Sequence, residues 1–490
     1  MTISLDAIAK AFEAKGLLVD RRGALPATVT LVTDDSRGVR PGALFIAVRG
    51  VDRDGHTYLA AAEKAGAAAA VVEDGNETAL PCLVVSGSRQ AAAIAGAAAV
   101  GWPTRGIQLV GVTGTNGKTT TVDILRHVLD DRMSRSASIG TLGVLIGSEG
   151  RPANGGSGLT TPGPIELQQM FRTLVDDGVK RIAMEVSSHA LDQHRVDGVE
   201  FDVAVFTNVT RDHLDYHGTM DEYFAAKAKL LEHLRPQGKA VVNLDDPTWS
   251  ALPPGRRRVG FSERVTTADV HATGICFTPR GSEWNLMLGS ETHPVSLPLI
   301  GDFNVANALG AAAAAWALGL AGARIAERLS TAPQVPGRLE IISESPVVLR
   351  DYAHTPNALE RAIDAVRPFT TGRLIVVFGC GGDRDKGKRS EMGAIAARKA
   401  DVPIVTSDNP RTEDPERILD GIEVGMGTAK HERIEDRRAA IARALDIARD
   451  GDVVLLAGKG HETYQVRGTT RFPFDERTIV RELLAGRVST

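Results

Sequence analysis

Residues 111–120 read GVTGTNGKTT and bring Gly114, Thr115, Asn116, Gly117, Lys118, Thr119 and Thr120 into one turn between the apolar run IQLVGVT and the helical pattern TVDILRHVLD. These residue types suit a polyphosphate. Backbone N–H groups of a glycine-rich turn face anionic oxygens, a lysine neutralises the outer phosphates, and a threonine hydroxyl can reach Mg²⁺. The full phosphate-loop pattern asks for glycine at position 112, where this chain has Val112, so a shorter loop is expected. With GKT standing between a strand and a helix, the spacing predicts ATP binding rather than a bare connecting turn.

Mg²⁺ prefers carboxylates together with substrate oxygens. Glu185, in AMEVSSHAL at the end of a strand pattern, is a candidate, although a strand-end glutamate can equally cap the helix that follows. The segment TNVTRDHLDYHGTMDEYFAAKAKLL adds His213, His217, several Asp, and Lys227 and Lys229 on a helical pattern. By themselves these residues fit a metal neighbourhood and an ordinary solvated surface alike. Lys229 lies about 200° round a helix from Lys227, so the two lysines point apart.

The elements that must position these groups divide the 490 residues into three domains, 1–104, 105–336 and 337–490. The first carries short strand segments (Thr28 to Thr33, Ala43 to Val48, Ala69 to Val72, Cys82 to Val85), then an Ala-rich helix and the Trp102-Pro103 punctuation. In the second, RIAMEV, FDVAVFTNV and KAVVNL alternate with helical patterns, which predicts an α/β fold with a mostly parallel sheet covered on both faces. A β-rich insertion over about 255–298 precedes an Ala-rich helix from about Asn304 to Leu320, and VPGRLE marks a hinge. In the third, VVLRDYAH, RLIVVFGC, DVPIVTSD and GDVVLLAGKG alternate with helices, the rhythm of a second, Rossmann-like doubly wound domain with its ligand crevice at the strands' carboxyl ends. No internal repeat is evident.

Composition excludes whole classes of function. The chain is 43% hydrophobic and 24% charged, which rules out bulk disorder. With 57 Lys and Arg against 61 Asp and Glu, its net charge of −4 supplies no field for nucleic acid or anionic lipid, so neither is expected as a partner. Cys82, Cys276 and Cys380 are scattered without metal spacing, and the N-terminal MTISLDAIAKAFEAKG reads as an amphipathic helix. The most apolar stretch, GAAAAAWALGLAG, is too short to cross a bilayer. A cytoplasmic protein, with no membrane insertion, is expected.

GTNGKTT, AMEVSSHAL, TNVTRDHLDYHG with YFAAKAKLL, GDFNVANALGA, VPGRLE, DYAHTP, GCGGDRDKGKR, SDNPRTEDP and AGKGHETYQ together resemble, in order and spacing, the Mur ligase family. The resemblance runs from DDSRGVRPGALFIAV near residue 34 to about residue 461. It implies an N-terminal mixed α/β uridine-nucleotide domain, a central ATPase-like domain, a C-terminal amino-acid domain, and an ATP- and Mg²⁺-dependent amide ligase of peptidoglycan synthesis. Gly114, Thr115, Asn116, Gly117, Lys118, Thr119 and Thr120 would hold ATP phosphates. Thr119, Glu185, His213 and Lys227 would form the metal surroundings, with Lys227 carbamylated and Lys118, Lys227 and His213 as the catalytic group. A lysine ammonium beside Mg²⁺ would be repelled, whereas a carbamate can ligate or orient the ion. Asn304, Asn307, Arg338, Asp351 and His354 resemble further nucleotide-side positions. For His354-Thr355-Pro356, a helix start with Thr as N-cap and Pro at N1 is compatible with that role.

The same resemblance implies a nucleotide-linked substrate, UDP-N-acetylmuramoyl-L-alanyl-D-glutamate, near Ser36 in the Asp35-Ser36-Arg37 stretch and near the Asp54 to His56 turn. Thr160, Thr161, Ser187, Gln193 and Arg195 match positions that grip its muramoyl-dipeptide end. The amine partner is implied by Asp408, Asn409, Pro410 and Arg411, which look like the signature of enzymes that take meso-diaminopimelate. That compound carries a second ammonium and carboxylate where lysine has only an ammonium, and a guanidinium fork binds the carboxylate bidentately. Gly458 and Glu462 match positions for the distal ammonium, and Arg384 another carboxylate contact. L-lysine as the amine, a folylpolyglutamate-synthase-like ligase and a non-ligase phosphate-loop ATPase remain the alternative readings. A monomer is expected.

Overall fold

The computed structural model describes residues 2–50, 53–153 and 158–488, and the chain forms two compact units. The first comprises Met1–Thr273, Leu286–His293 and Ala306–Leu329; the second comprises Gly274–Asn285, Pro294–Val305 and Ser330–Thr490.

The first unit begins with a five-stranded sheet, β1 (Leu18–Arg22), β2 (Val32–Thr33), β3 (Leu44–Ile46), β4 (Ala69–Val72) and β5 (Cys82–Val85), in the order β1-β5-β4-β3-β2, with β1 antiparallel and the rest parallel. Helix α1 (Leu5–Ala14) starts at Ser4, whose hydroxyl accepts the Ala7 N–H at 3.2 Å. Its Leu5, Ile8 and Phe12, at helical spacing, pack with Leu44, Val71 and Leu83 of the sheet and with α2 (Ser88–Ala99). The run Thr28 to Thr33 is interrupted rather than continuous. Thr30 turns aside to bond the Pro41 and Gly42 carbonyls, leaving Thr28–Val29 and Val32–Thr33 as separate short strands.

The same unit holds a larger sheet whose parallel part is β6 (Gln108–Thr113), β7 (Arg135–Gly140), β8 (Val179–Glu185), β9 (Phe201–Phe206), β10 (Leu234–Asn243) and β11 (Arg257–Ser262), in the order β7-β8-β6-β9-β10-β11. Its connecting helices include α3 (Lys118–Leu129), α4 (Pro164–Asp176), α5 (Ser188–Asp192) and α6 (Met220–Ala228). The strands are continuous apolar runs because both faces are covered: Leu109, Val110 and Val112 are wholly buried. β6 lies between β8 and β9, with Val112 opposite Glu185 and Thr113 opposite Phe206. This register gathers the turn after β6, Glu185 and the chain after β9 at one carboxyl edge, where open α/β sheets bind ligands.

The β-rich stretch expected near 255–298 is Arg257–Ser262, Val270–Thr278, Gly281–Leu288 and Glu291–Leu297. The following helix is Asp302–Ala317, shorter at its end than expected. Gly319 takes φ +92° and the Leu320 N–H reaches back to the Ala315 carbonyl at 3.1 Å, a glycine stop.

In the second unit β12 (Glu340–Glu344), β13 (Val347–Asp351), β14 (Leu374–Phe378), β15 (Val402–Val405) and β16 (Val453–Ala457) run in the order β12-β13-β16-β14-β15, parallel except for β12. Alternation splits each strand between two cores. Leu374, Val376, Phe378 and Leu455 pack with α7 (Pro356–Val366), α8 (Lys388–Lys399) and α9 (Pro415–Met426). Ile375, Val377, Val454 and Leu456 pack with α10 (Arg437–Ile447). Thr355 caps α7 with Pro356 at N1, as the sequence predicts. A hairpin, β17 (Tyr464–Arg467) with β18 (Thr470–Pro473), follows. Among the described residues no helix is long and apolar enough to cross a membrane.

Candidate functional site

The glycine turn is built to bring backbone close to a ligand. Gly114 has φ +149°, and a Cβ there would stand 1.9 Å from Thr207 Oγ1; Gly117 has φ +84°, and its Cβ would stand 2.3 Å from Asn307 Oδ1. Neither position admits a side chain. Two residues after β9 clamp the loop: the Asn208 carbonyl accepts the Thr115 N–H at 2.7 Å, Asn208 Oδ1 accepts the Asn116 N–H at 2.9 Å, and the Thr207 hydroxyl donates to the Asn116 carbonyl at 2.7 Å. Lys118 Nζ donates to the Gly114 and Thr115 carbonyls at 2.8 and 2.9 Å, while Thr119 and Thr120 are buried in the first turn of α3. Val112 belongs to the buried interior of β6, so the loop opens at Gly114 and a glycine at 112 has no task here. A fixed loop, a lysine above it and a helix N-terminus beneath fit a phosphate chain.

Beside it, Glu185 is 1% exposed, and both oxygens are engaged by Thr141, through its N–H at 2.8 Å and its hydroxyl at 3.2 Å. It does not cap α5: Ser187 does, accepting the Ala190 N–H at 3.2 Å. That leaves the side chain as a buried carboxyl group at the phosphate edge, and Mg²⁺ takes few carboxylates plus phosphate oxygens. No group of three or more His, Cys, Asp or Glu able to hold a metal forms among the described residues. Glu185, Thr119 and His213 are oxygen- and nitrogen-bearing groups that could reach an ion at this edge, together with groups brought by substrate or modification.

Lys227 supplies a group that modification could change. It is 1% exposed, its Nζ donates to the Gly114 carbonyl at 2.9 Å, and it lies 4.2 Å above the Tyr223 ring. Burial, helped by the nearby Lys118 charge, pulls its pKa well below the ordinary lysine value. A neutral amine is the form that can add CO₂. Lys229, two residues on, pairs instead with Asp192 at 2.9 Å.

His213 takes a left-handed φ of 53° and sets its ring edge-on to His189 at 4.7 Å. His217 is buried and bonded to Ser188 Oγ at 3.0 Å, which accounts for it structurally. The sequence reading did not single out His189, Tyr216, Tyr223, Thr207 or Asn208. The last two were open to inference, because they follow the strand beside β6; the aromatic neighbours assemble only where α5 packs against the 213–217 segment and α6.

The residues matched to the dipeptide form one hydrogen-bonded group. Thr161 Oγ1 donates to the Glu185 carbonyl at 3.0 Å and accepts the Ser187 N–H at 3.0 Å, and Thr160 Oγ1 lies 3.2 Å from Thr141 Oγ1. Arg195 donates to the Thr161 carbonyl at 2.9 Å and to Gln193 Oε1 at 2.6 Å. These acceptors are neutral, and burial lowers the guanidinium's pKa, so a substrate carboxylate would complete its surroundings. Farther toward the N-terminus, Asp35 caps the Ser36–Gly38 turn and pairs with Arg37 at 2.9 Å. His56 ties two loops together, with Nδ1 2.7 Å from Asp54 Oδ1 and Nε2 accepting the Glu73 N–H at 3.0 Å.

In the second unit, Asp351 ends β13 and its Oδ2 accepts the Leu339 N–H at 2.7 Å; burial pushes its pKa up to about 6. The Arg338 guanidinium lies 4.9 Å over the Tyr352 ring, and His354 Nδ1 is 2.8 Å from the Tyr352 carbonyl. Asn304 Nδ2 donates to the Ile300 carbonyl at 2.7 Å in this unit, whereas Asn307 belongs to the first unit and abuts Gly117.

The carboxyl ends of β14, β15 and β16 bring together the residues matched to the amine. Gly381 has Arg411 Nη1, the Asn409 carbonyl and Arg384 Cγ around it, at 2.9, 3.8 and 3.9 Å from where a Cβ would be. Arg411 holds φ +53° and donates to the Gly382 carbonyl at 2.7 Å, while its N–H donates to the Val466 carbonyl at 3.1 Å. An arginine in the left-handed region is a strained choice that surrounding structure must fix. Pro410 presses its carbonyl to within 1.9 Å of a Gly382 Cβ position, so that glycine is required. Asp408 and Asn409 are buried at 6% and 5% exposure and both bond Lys459, at 3.4 and 3.0 Å. Asn409 Nδ2 also donates to Glu462 Oε2 at 2.9 Å, and Gly458, at φ +119°, would put a Cβ 3.5 Å from Asp408 Oδ2.

Three family descriptions match the chain: Mur ligase family, catalytic domain over 28–109; Mur ligase middle domain over 112–315; and Mur ligase, glutamate ligase domain over 337–460. A UDP-N-acetylmuramoyl-L-alanyl-D-glutamate–2,6-diaminopimelate ligase of Synechococcus elongatus is 46% identical over 492 aligned positions, covering 96% of this chain and 97% of its own. A solved structure of an enzyme of the same name is 31% identical and covers both chains completely, with a TM-score of 0.70. Mycobacterium tuberculosis folylpolyglutamate synthase, solved with ADP and AMPPCP, is 19% identical with a TM-score of 0.63 and covers 76% of this chain, a likeness of fold.

Proposed function

The chain belongs to the Mur ligase family, and from that premise we propose that it joins meso-diaminopimelate to UDP-N-acetylmuramoyl-L-alanyl-D-glutamate at the expense of ATP. It is an ATP-dependent amide ligase of peptidoglycan synthesis. The observation that carries the substrate reading is the 46% identity to a diaminopimelate ligase, covering 96% of this chain.

A carboxylate is a poor electrophile, so the reaction needs a leaving group. A γ-carboxylate oxygen of D-glutamate attacks the γ-phosphorus of ATP, the bond to ADP breaks, and an acyl phosphate forms. An amine nitrogen of diaminopimelate then adds to the acyl carbon, loses a proton and expels inorganic phosphate. Gly114 to Thr120 hold the triphosphate, and Lys118 balances charge on the moving phosphoryl group. Arg195, with Thr160, Thr161, Ser187 and Gln193, grips the dipeptide end, and Ser36 lies toward the uridine side. Asn304, Asn307, Arg338, Asp351 and His354 serve the nucleotide. Arg411 and Arg384 bind the distal carboxylate of the incoming amine, with Asp408, Asn409, Pro410, Gly458 and Glu462 around its ammonium.

Thr119, Glu185, His213 and Lys227 as its carbamate would hold Mg²⁺, which when bound neutralises phosphate charge. The burial of Glu185 at the loop's edge and the depressed pKa of Lys227 support that set. We read the protein as a cytoplasmic monomer of three domains, 1–104, 105–336 and 337–490.

Isotope transfer tests the chemistry. With ¹⁸O in the D-glutamate γ-carboxylate, the phosphate released in the presence of diaminopimelate is expected to carry one ¹⁸O. Phosphate free of label would refute the acyl phosphate.

A further inference from the structure

Lys459 is the one lysine of the AGKGHE segment, and the sequence assigns it no role. It is flanked by Gly458 at φ +119° and Gly460 at φ +53°, and this double turn folds its side chain inward to 0% exposure. A buried ammonium must satisfy three N–H donors or pay heavily in lost hydration. It meets three acceptors: Asn409 Oδ1 at 3.0 Å, Glu462 Oε2 at 3.0 Å and Asp408 Oδ1 at 3.4 Å. Two of these come from the chain after β15 and one from the chain after β16.

The charges do not cancel. One ammonium faces the carboxylates of Asp408 and Glu462, whose side chains are 8% and 15% exposed, leaving one negative charge in excess. Glu462 spends Oε2 on both Lys459 and Asn409, and its Oε1 has no protein hydrogen bond among the described residues. Within these contacts the cluster's charge is matched by one further cation, such as an amino group.

Resting on the diaminopimelate reading above, we propose that Lys459 is a positioning residue for the amine substrate: it locks Asn409 and Glu462 into one geometry and sets the net charge of their pocket at the value a single ligand ammonium neutralises. It touches no reacting atom. Its loss therefore acts on amine recognition, through Glu462 and Asn409, and leaves ATP and the UDP-linked dipeptide untouched.

The test compares wild type with Lys459→Met and Lys459→Arg, measuring KM for diaminopimelate, ATP and the UDP-dipeptide separately, with the melting curve as a check of folding. Lys459→Met is expected to raise the diaminopimelate KM about thirtyfold or more, with the other two KM values within about twofold. Lys459→Arg keeps the charge but cannot converge on one point from three sides, and is expected to fold and raise it about threefold to tenfold. A diaminopimelate KM within twofold of wild type in either folded variant overturns the assignment, as does an equal rise in all three KM values. If wild type itself ligates only L-lysine, the amine reading fails first, and the same comparison run with lysine decides the role of Lys459.

Discussion

Lys118 and Lys227 aim their side-chain nitrogens at one acceptor, the Gly114 carbonyl oxygen, at 2.8 and 2.9 Å. Lys118 also reaches the Thr115 carbonyl at 2.9 Å. Lys227 is the more deeply buried, and burial together with the Lys118 charge drives its pKa well down. Burial beside the loop thus favours the free amine of Lys227. The shared acceptor links the turn after β6 to Lys227 on α6, more than a hundred residues later.

Carbamylation of Lys227 should follow from that neutral amine. Activity is expected to fall about tenfold or more in CO₂-depleted buffer and to return with bicarbonate. Lys227→Met should be inactive in both, and ¹³C-bicarbonate should give wild type a carbamate resonance that the variant lacks. Activity indifferent to bicarbonate, with no such resonance, would contradict the assignment.

Gly114→Ala forces a Cβ to 1.9 Å from Thr207 Oγ1 at a φ of +149°. The loop must then leave the Asn208 clamp. Turnover, as kcat/KM for ATP, should drop about a hundredfold or more; a variant within tenfold of wild type would show that the loop is not the phosphate grip.

Arg411→Lys replaces a fork by a point charge beside the distal carboxylate. The diaminopimelate kcat/KM should fall about a hundredfold while the ATP KM stays within about twofold. Steady-state kinetics with each substrate varied in turn checks this, and an unchanged diaminopimelate constant would remove Arg411 from the pocket.

Asp351 makes stability depend on pH in an unusual direction. Its folded pKa, about 6, lies above the ordinary 3.8, so the unfolded chain ionises first as pH rises. Its contribution is intact below about pH 4 and is lost progressively up to about pH 6, by at most about 3 kcal/mol. Relative to Asp351→Asn, wild type should therefore gain stability as pH falls from 7 to 4. Parallel denaturation profiles for the two proteins would show that the carboxyl is not perturbed.

Sequence carried much of this. The parallel strands, the Thr355 cap and the phosphate turn were legible because each is dictated by local pattern: apolar runs, a Thr-Pro pair, glycines before GKT. What stayed hidden depends on contacts between distant segments. Val112 reads as a departure from a motif until the strand places it in the sheet core. Glu185 could cap a helix or face a ligand until Ser187 is seen to be the cap. His189 and Lys459 sit inside the motifs AMEVSSHAL and AGKGHETYQ, yet their contacts arise only where α5 meets the 213–217 segment and where the chain after β15 meets the chain after β16. The Asp302–Ala317 helix ends early because of one glycine conformation that hydrophobic patterning does not record.

The central claim concerns what is joined to what. Purified protein incubated with ATP, Mg²⁺ and UDP-N-acetylmuramoyl-L-alanyl-D-glutamate, with meso-diaminopimelate or L-lysine in separate tubes, gives products that can be weighed. The account predicts one new nucleotide product, heavier by one diaminopimelate less one water, and little or none with lysine. A lysine adduct alone, or ATP hydrolysis with no amine incorporated in either tube, would contradict it.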